Sequence, residues 1–178
     1  MKLQIGVMGS CADLKYAKEA ERLAEEIGAE IAKRGHILVF GAEKDMDSLS
    51  TASARGAKKN GGLTVGVTYG KGKAIAAPDT ADVIIATGLE RGGGREFVLV
   101  NSCDVIITIA GGSGTVTEMA IAYQSNIPII AITGSGGWSD RLAGEYFDGR
   151  KRVKVLSART PEEAVDLAIT MKGQNEKI

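Results

Sequence analysis

The chain is poor in the residues that build metal and redox sites: its 178 residues include two cysteines and a single histidine. Cys11 and Cys103 lie far apart with no CxxC spacing, and His36 opens an apolar run, so no metal site is expected. Unpaired cysteines fit a reducing compartment. Neither sign of charge is in excess, since Lys+Arg and Asp+Glu are 22 each, and no basic field exists to draw the protein onto nucleic acid or an anionic membrane. No apolar stretch approaches the roughly 20 residues of a membrane-spanning helix. Gly6 interrupts the N-terminus too early for the apolar region of a signal peptide. These absences imply a cytoplasmic protein whose partner is a small molecule, with no nucleic acid and no membrane. Internal repeats, low-complexity blocks and Pro/Ser-rich linkers are also missing. At this length the chain reads as one domain over residues 1–172, with a flexible tail from Gly173 to Ile178.

What the sequence does contain is short apolar runs separated by segments of helical character. Leu3 to Met8, Ile37 to Phe40, Leu63 to Val67, Val83 to Thr87, Val105 to Ile109, Ile127 to Ile132 and Val153 to Leu156 lack polar alternation. That pattern suits strands covered on both faces. Between them, Leu14 to Arg34 carries Ala17, Ala20, Ile27 and Ile31 at helical spacing and ends at Gly35. Asp47 to Asn60, Arg95 to Ser102, Thr115 to Gln124 and Ser139 to Phe147 are further helices. The last begins at Thr160-Pro161-Glu162-Glu163, a hydroxyl cap followed by a proline in the first turn and a glutamate three residues after the cap. The alternation predicts a Rossmann-like, doubly wound three-layer α/β sandwich with a mostly parallel seven-stranded sheet. Tyr69 to Asp82 is the one long connection without a pattern, either a flap over the site or a surface loop.

In such sheets ligands collect at the carboxyl ends of the strands, and here several of those ends are glycine-rich: Gly9-Ser10, Gly41-Ala42, Gly88 to Gly94, and Gly111-Gly112-Ser113-Gly114-Thr115. The last joins a buried strand directly to a helix. Glycines let the backbone approach an anion, and the first helical turn leaves N–H groups without intrahelical partners, so this turn is the expected phosphate cradle. The spacing of Gly112 and Gly114 lacks the third glycine of a dinucleotide fingerprint, and there is no GxxxxGK[ST] loop. Glu118 is open to two readings: a functional carboxylate, or one half of a capping box begun by Thr115. Arg95 likewise either pairs with a carboxylate or offers its planar fork to a phosphate. Trp138, after Gly136-Gly137, either stacks on a planar ring or packs.

Asn101-Ser102-Cys103-Asp104, the strand from Val105, and Ala110-Gly111-Gly112-Ser113-Gly114-Thr115-Val116-Thr117-Glu118 resemble the PGGxGTxxE signature of the lysine-decarboxylase-like superfamily. That superfamily includes the LONELY GUY phosphoribohydrolases and the molybdenum-cofactor carrier proteins. The resemblance covers Ile5 to about Ile169 and implies a homodimer. It also implies that Arg95 and Glu118 stand where the phosphoribohydrolases keep their catalytic pair. Three positions depart from that pattern: Ala110 replaces the signature proline, Glu96 replaces a lysine, and Glu43, Asp45 and Asp47 occupy a turn that is glycine-rich in relatives. Gly92-Gly93-Gly94-Arg95 and Gly136-Gly137-Trp138 look more like the carrier-like branch. The resemblance therefore implies a protein that binds a nucleotide or phosphorylated cofactor. Gly9, Ser10, Gly41 and Gly111 to Thr115 would be its contacts. A nucleoside monophosphate, phosphate or molybdenum cofactor would be the ligand, with no cofactor required. The alternative is a phosphoribohydrolase acting on a nucleoside 5'-monophosphate.

Overall fold

The computed structural model describes residues 2–175, with side chains described through Met171. The strands are β1 (Gln4–Gly9), β2 (Ile37–Gly41), β3 (Leu63–Thr68), β4 (Val83–Ala86), β5 (Val105–Ile109), β6 (Ile129–Ile132) and β7 (Val155–Ala158). Between and after them lie α1 (Lys18–Lys33), α2 (Leu49–Lys59), α3 (Gly94–Asn101), α4 (Ser113–Gln124), α5 (Gly137–Leu142) and α6 (Pro161–Asn175). All seven strands pair in parallel, in the order β4-β3-β2-β1-β5-β6-β7. The expected doubly wound Rossmann-like sandwich is present, and its sheet is wholly parallel.

Continuous apolar runs become strands because both faces are covered. One core layer lies between the sheet and α1, α2 and α6, with Ile5, Val7, Ile107 and Ile109 pointing into it. The other holds Met8, Val39, Val67 and Ile106 against α3, α4 and α5. α2 is covered on nearly all sides. Leu49 to Ala54, Gly56 and Ala57 are buried on almost every face, because the helix is wedged between α1 and the sheet. Its close crossing with α1 needs Gly28 and Gly56, where a Cβ would come within 1.8 Å of a backbone oxygen of the other helix.

Several helix boundaries differ from the sequence reading, among them those of α1, α4 and α5. α1 begins at Lys18 instead of Leu14, because Ala12–Leu14 form a 3-10 turn closed by Lys15 in the left-handed region. That turn is held to the start of α2 by the Ala12 N–H donating to the Asp47 oxygen and by a bridge between Cys11 and Ser48. α4 starts two residues earlier than Thr115, with Gly112 as its cap. α5 stops at Leu142, and Tyr146 leaves to bridge Lys154. The start of α6 follows its sequence signal: Thr160 Oγ1 accepts from the Glu163 N–H at 3.2 Å, and Glu163 accepts from the Arg159 N–H at 2.7 Å. The backbone of α6 continues through Asn175, and the remainder of the expected tail lies outside the described residues.

Candidate functional site

The order of strands reverses between β1 and β5, which opens a crevice beyond their carboxyl ends, and this is where doubly wound sheets hold ligands. The first wall is the turn from β5 into α4. Ala110 and Gly111 both have positive φ, 51° and 97°, which lifts the chain out of the strand before the helix begins. Two neighbouring turns brace it. Across the switch point, Ser10 Oγ accepts from the Gly111 N–H at 2.9 Å. From the β6–α5 turn, Ser135 Oγ accepts from the Ala110 N–H at 2.8 Å, while the Trp138 and Ser139 N–H groups donate to the Gly111 and Ala110 oxygens at 3.1 and 2.9 Å. Gly137 permits that docking, since a Cβ there would lie 2.4 Å from the Gly111 oxygen.

With Gly111 braced, the next amides are left open. Val116 makes the first helical bond, to the Gly112 oxygen; among the described residues the N–H groups of Gly112, Ser113, Gly114 and Thr115 have no acceptor. Ser113 to Thr115 border a cavity of about 450 Å³ on one side, and Gly112 to Thr115 a smaller one of about 150 Å³. The Thr115 side chain is buried, borders both, and makes no hydrogen bond among the described residues. Open donors, a helix start and adjacent space form an arrangement suited to an oxyanion.

Arg95 and Glu118 line the same larger cavity, so the two residues singled out by the signature do meet. Their states differ. Arg95 is 4% exposed and its fork is occupied: Nη2 donates to Glu43 Oε1 at 3.0 Å, Nε to Glu96 Oε1 at 3.1 Å, and Nη1 to the Val67 oxygen at 3.4 Å. Gly41 lies against that fork, because a Cβ would sit 2.6 Å from Arg95 Nη1. Gly9 plays a comparable part for α2, where a Cβ would meet Leu49 at 2.7 Å. Thus Gly41 and Gly9 make room for protein side chains at the wall of the cavity.

Glu118 is 8% exposed and has no hydrogen bond or ion pair among the described residues. It sits in the second turn of α4, out of register for a capping box, and that reading falls. Burial pushes its carboxyl up to about 8; Arg95 pulls the other way, and Glu96 and Glu43 reinforce the rise. At neutral pH it is a protonated acid facing the cavity. Glu96, although buried, is held below the usual carboxylate range because Arg95 and the Gly92 and Gly93 amides outweigh the cost of burial. Its Oε2 accepts from the Gly93 N–H at 2.7 Å.

The acidic turn after β2 resolves into separate roles. Glu43 points inward, 5% exposed, against Arg95 and Arg91. Asp45 accepts from the Tyr69 hydroxyl at 3.1 Å, and Asp47 is bound by Arg55 Nη1 at 2.9 and 2.8 Å. Tyr69 lies beneath Lys44, Arg91 and Arg95, with each cation 5.5 to 6.0 Å from its ring centroid. The patternless connection after it is tied down at Ala76, whose N–H donates to the Glu43 oxygen at 2.8 Å, and by buried Ile75. Arg91 is the residue sequence reasoning missed. It stands in the glycine-rich loop after β4, borders both cavities, and is 38% exposed, with Nη2 3.3 Å from Cys11 Sγ and Nε 3.4 Å from Glu43 Oε2. Only its place among those glycines could have drawn attention to it.

Among the described residues, no group of three or more His, Cys, Asp or Glu side chains could hold a metal ion, and no helix is long and apolar enough to cross a membrane. An uncharacterized protein of Archaeoglobus fulgidus is 40% identical over 125 residues, 70% of this chain and 76% of its own length. The X-ray structure of TM1055 superposes with a TM-score of 0.83 at 30% identity, covering 96% of this chain and 99% of that one. The molybdenum cofactor carrier protein of Chlamydomonas reinhardtii gives a TM-score of 0.79 at 27% identity over 98% and 99% of the two chains. The molybdenum cofactor binding protein of Rippkaea orientalis gives 0.79 at 29% over 96% and 98%. The braced glycine turn, the parallel sheet and the near full-length likenesses to these solved structures agree with a match over residues 2–165, by which the chain belongs to the SLOG cluster4 family.

Proposed function

We infer that the protein binds a phosphate-bearing nucleotide or cofactor, as a carrier-like protein, with the ligand's phosphate on the free amides of Gly112 to Thr115. The observation that carries this reading is that these amides and the Thr115 hydroxyl have no partner and border open space at the switch point. Arg91, less buried than Arg95 and joined only to Glu43 and Cys11 and near Tyr69, is the cation that turns to the phosphate. The molybdenum cofactor, carried or bound by two of the structural relatives, fits the residues present in one respect: its phosphate suits the amide cradle. When bound it would supply the metal chemistry, and Gly112 to Thr115 with Arg91 would hold it.

The meeting of Arg95 and Glu118 in one cavity favours a second reading, a phosphoribohydrolase. Two features count against it. The Arg95 fork is taken by glutamates, and a protonated Glu118 lacks the charge that stabilises an oxocarbenium-like centre. The test is to incubate the protein with a panel of nucleoside monophosphates, following the melting temperature and release of free base. A raised melting temperature without product supports the carrier reading. Turnover abolished in Glu118→Ala replaces it with the hydrolase, and no response to any nucleotide or to phosphate removes both. We propose also that the chain forms the homodimer implied by its resemblance; Phe97, 58% exposed on α3, is a contact whose substitution by aspartate would leave a monomer in sedimentation.

A further inference from the structure

The cradle does not open on one compartment alone. The small cavity over Gly112 to Thr115 shares Ser10, Leu14 and Gly112 with a third cavity of about 390 Å³ on the far side of the glycine turn. The two flanking compartments differ in chemistry. Beside Arg95 the lining is ionic and hydroxylic, with Glu43, Glu96, Glu118, Ser48 and Ser50, and no aromatic side chain borders it. On the far side the walls are Trp138, Tyr16 and Leu14, the last 56% exposed, with Arg141 at the rim.

Trp138 packs one part of its indole on the core beneath α4 and α5 and leaves the rest to this compartment. The Arg141 guanidinium lies 4.9 Å from the indole centroid. The Arg141 side chain makes no hydrogen bond or ion pair among the described residues, so it can move aside and pair with a ligand's carbonyl or anionic edge. The Tyr16 hydroxyl has no hydrogen-bond partner there either. An indole face, a loose guanidinium and a free hydroxyl match a flat heterocycle with polar edges. The buried, unpartnered Thr115 hydroxyl and Glu118 carboxyl at the other side of the cradle mark the helix start as a built site.

We propose that the ligand is a phosphate monoester that carries a planar heterocycle, seated with its phosphate on Gly112 to Thr115 and its ring against Trp138, away from Glu118. The inference rests on the phosphate site proposed above and gives the ligand a direction. A ring at Trp138 keeps its bond to the phosphorylated portion out of the Glu118 compartment, which is the arrangement expected of a carrier.

Trp138 is the only tryptophan of the chain, so its emission reports on this compartment alone. The wild-type protein and Trp138→Leu would be titrated with AMP, GMP, ribose 5-phosphate and inorganic phosphate, following tryptophan emission in the wild type and melting temperature in both. The expected result is that AMP or GMP changes the emission, while ribose 5-phosphate raises the melting temperature without doing so. Trp138→Leu should weaken the ring-bearing ester about ten-fold or more, as loss of a base–aromatic stack does. Its affinity for ribose 5-phosphate should be unchanged, which also shows that the variant is folded. Equal affinity for ring-bearing and ring-less esters would overturn the proposal and leave the phosphate site standing. So would ring-dependent binding that leaves the emission unchanged and is undiminished in Trp138→Leu. Failure of all four probes to bind would remove the phosphate site itself, and the proposal with it.

Discussion

Replacing Glu118 by glutamine tests the electrostatics of the cavity directly. The folded protein holds the Glu118 proton up to about pH 8, whereas the unfolded chain releases it near 4.5. A raised carboxyl pKa gives a definite sign. Between those values the folded state binds the extra proton, so the contribution of Glu118 to stability is complete below the unfolded value and is lost as pH rises through the folded one. Each pH unit between the two values is worth about 1.4 kcal/mol, and the loss across the window is therefore of order 5 kcal/mol. Water entering the cavity and movement of Arg95 toward the carboxylate reduce that figure, so a few kcal/mol is the working expectation. Glutamine has the shape of the protonated acid and does not titrate. Urea unfolding of wild type and Glu118→Gln from pH 5 to pH 9 should show similar stabilities at the acid end, with the variant gaining steadily to about pH 8 and level beyond it. Taking the difference between the two proteins cancels the other titrating groups. A difference that stays constant over the range would show that Glu118 is ionised in the folded protein, and the account of its burial would be wrong.

Three further substitutions probe the turns. Ala110→Pro requires φ near −65° where the chain has 51° and removes the N–H given to Ser135, so a loss of about 3 kcal/mol or more is expected in urea unfolding. Ala110→Gly should instead stabilise by about 1 kcal/mol, by relieving the same left-handed conformation. Gly114→Ala adds a methyl that meets nothing within 4 Å, so it should raise stability by about 0.4 to 1 kcal/mol while reducing the melting-temperature rise given by phosphate, since Gly114 borders both cavities at the cradle. Gly41→Ala forces Arg95 off its glutamates and should cost about 1 to 3 kcal/mol by thermal or urea unfolding; an unchanged midpoint would mean that the fork is not held as described.

The architecture follows from the amino-acid pattern without further help. Strands buried on both faces must be apolar throughout, and parallel strands must be joined by helices, so the alternation of runs and periodic segments left little freedom. The same logic made the turn after β5 legible, because a glycine cluster between a buried strand and a helix exposes amides whatever the rest of the chain does. It could not tell which amides stay free. Gly111 looks like its neighbours in the sequence, yet Ser10, 101 positions away, accepts the hydrogen bond of its N–H. Nor could it sort the acids of one short turn, since Glu43 is turned inward by Arg95 while Asp47 is drawn out by Arg55. The ends of α1 and α5 escaped for a related reason: their residues carry helical patterns, but contacts with α2 and with Lys154 outweigh a propensity worth tenths of a kcal/mol per residue. Local pattern fixes what depends on burial and backbone geometry. Charge state, hydrogen-bond partner and the side of the turn on which an aromatic ring lies depend on groups distant in the chain, and those meet only once the chain has folded.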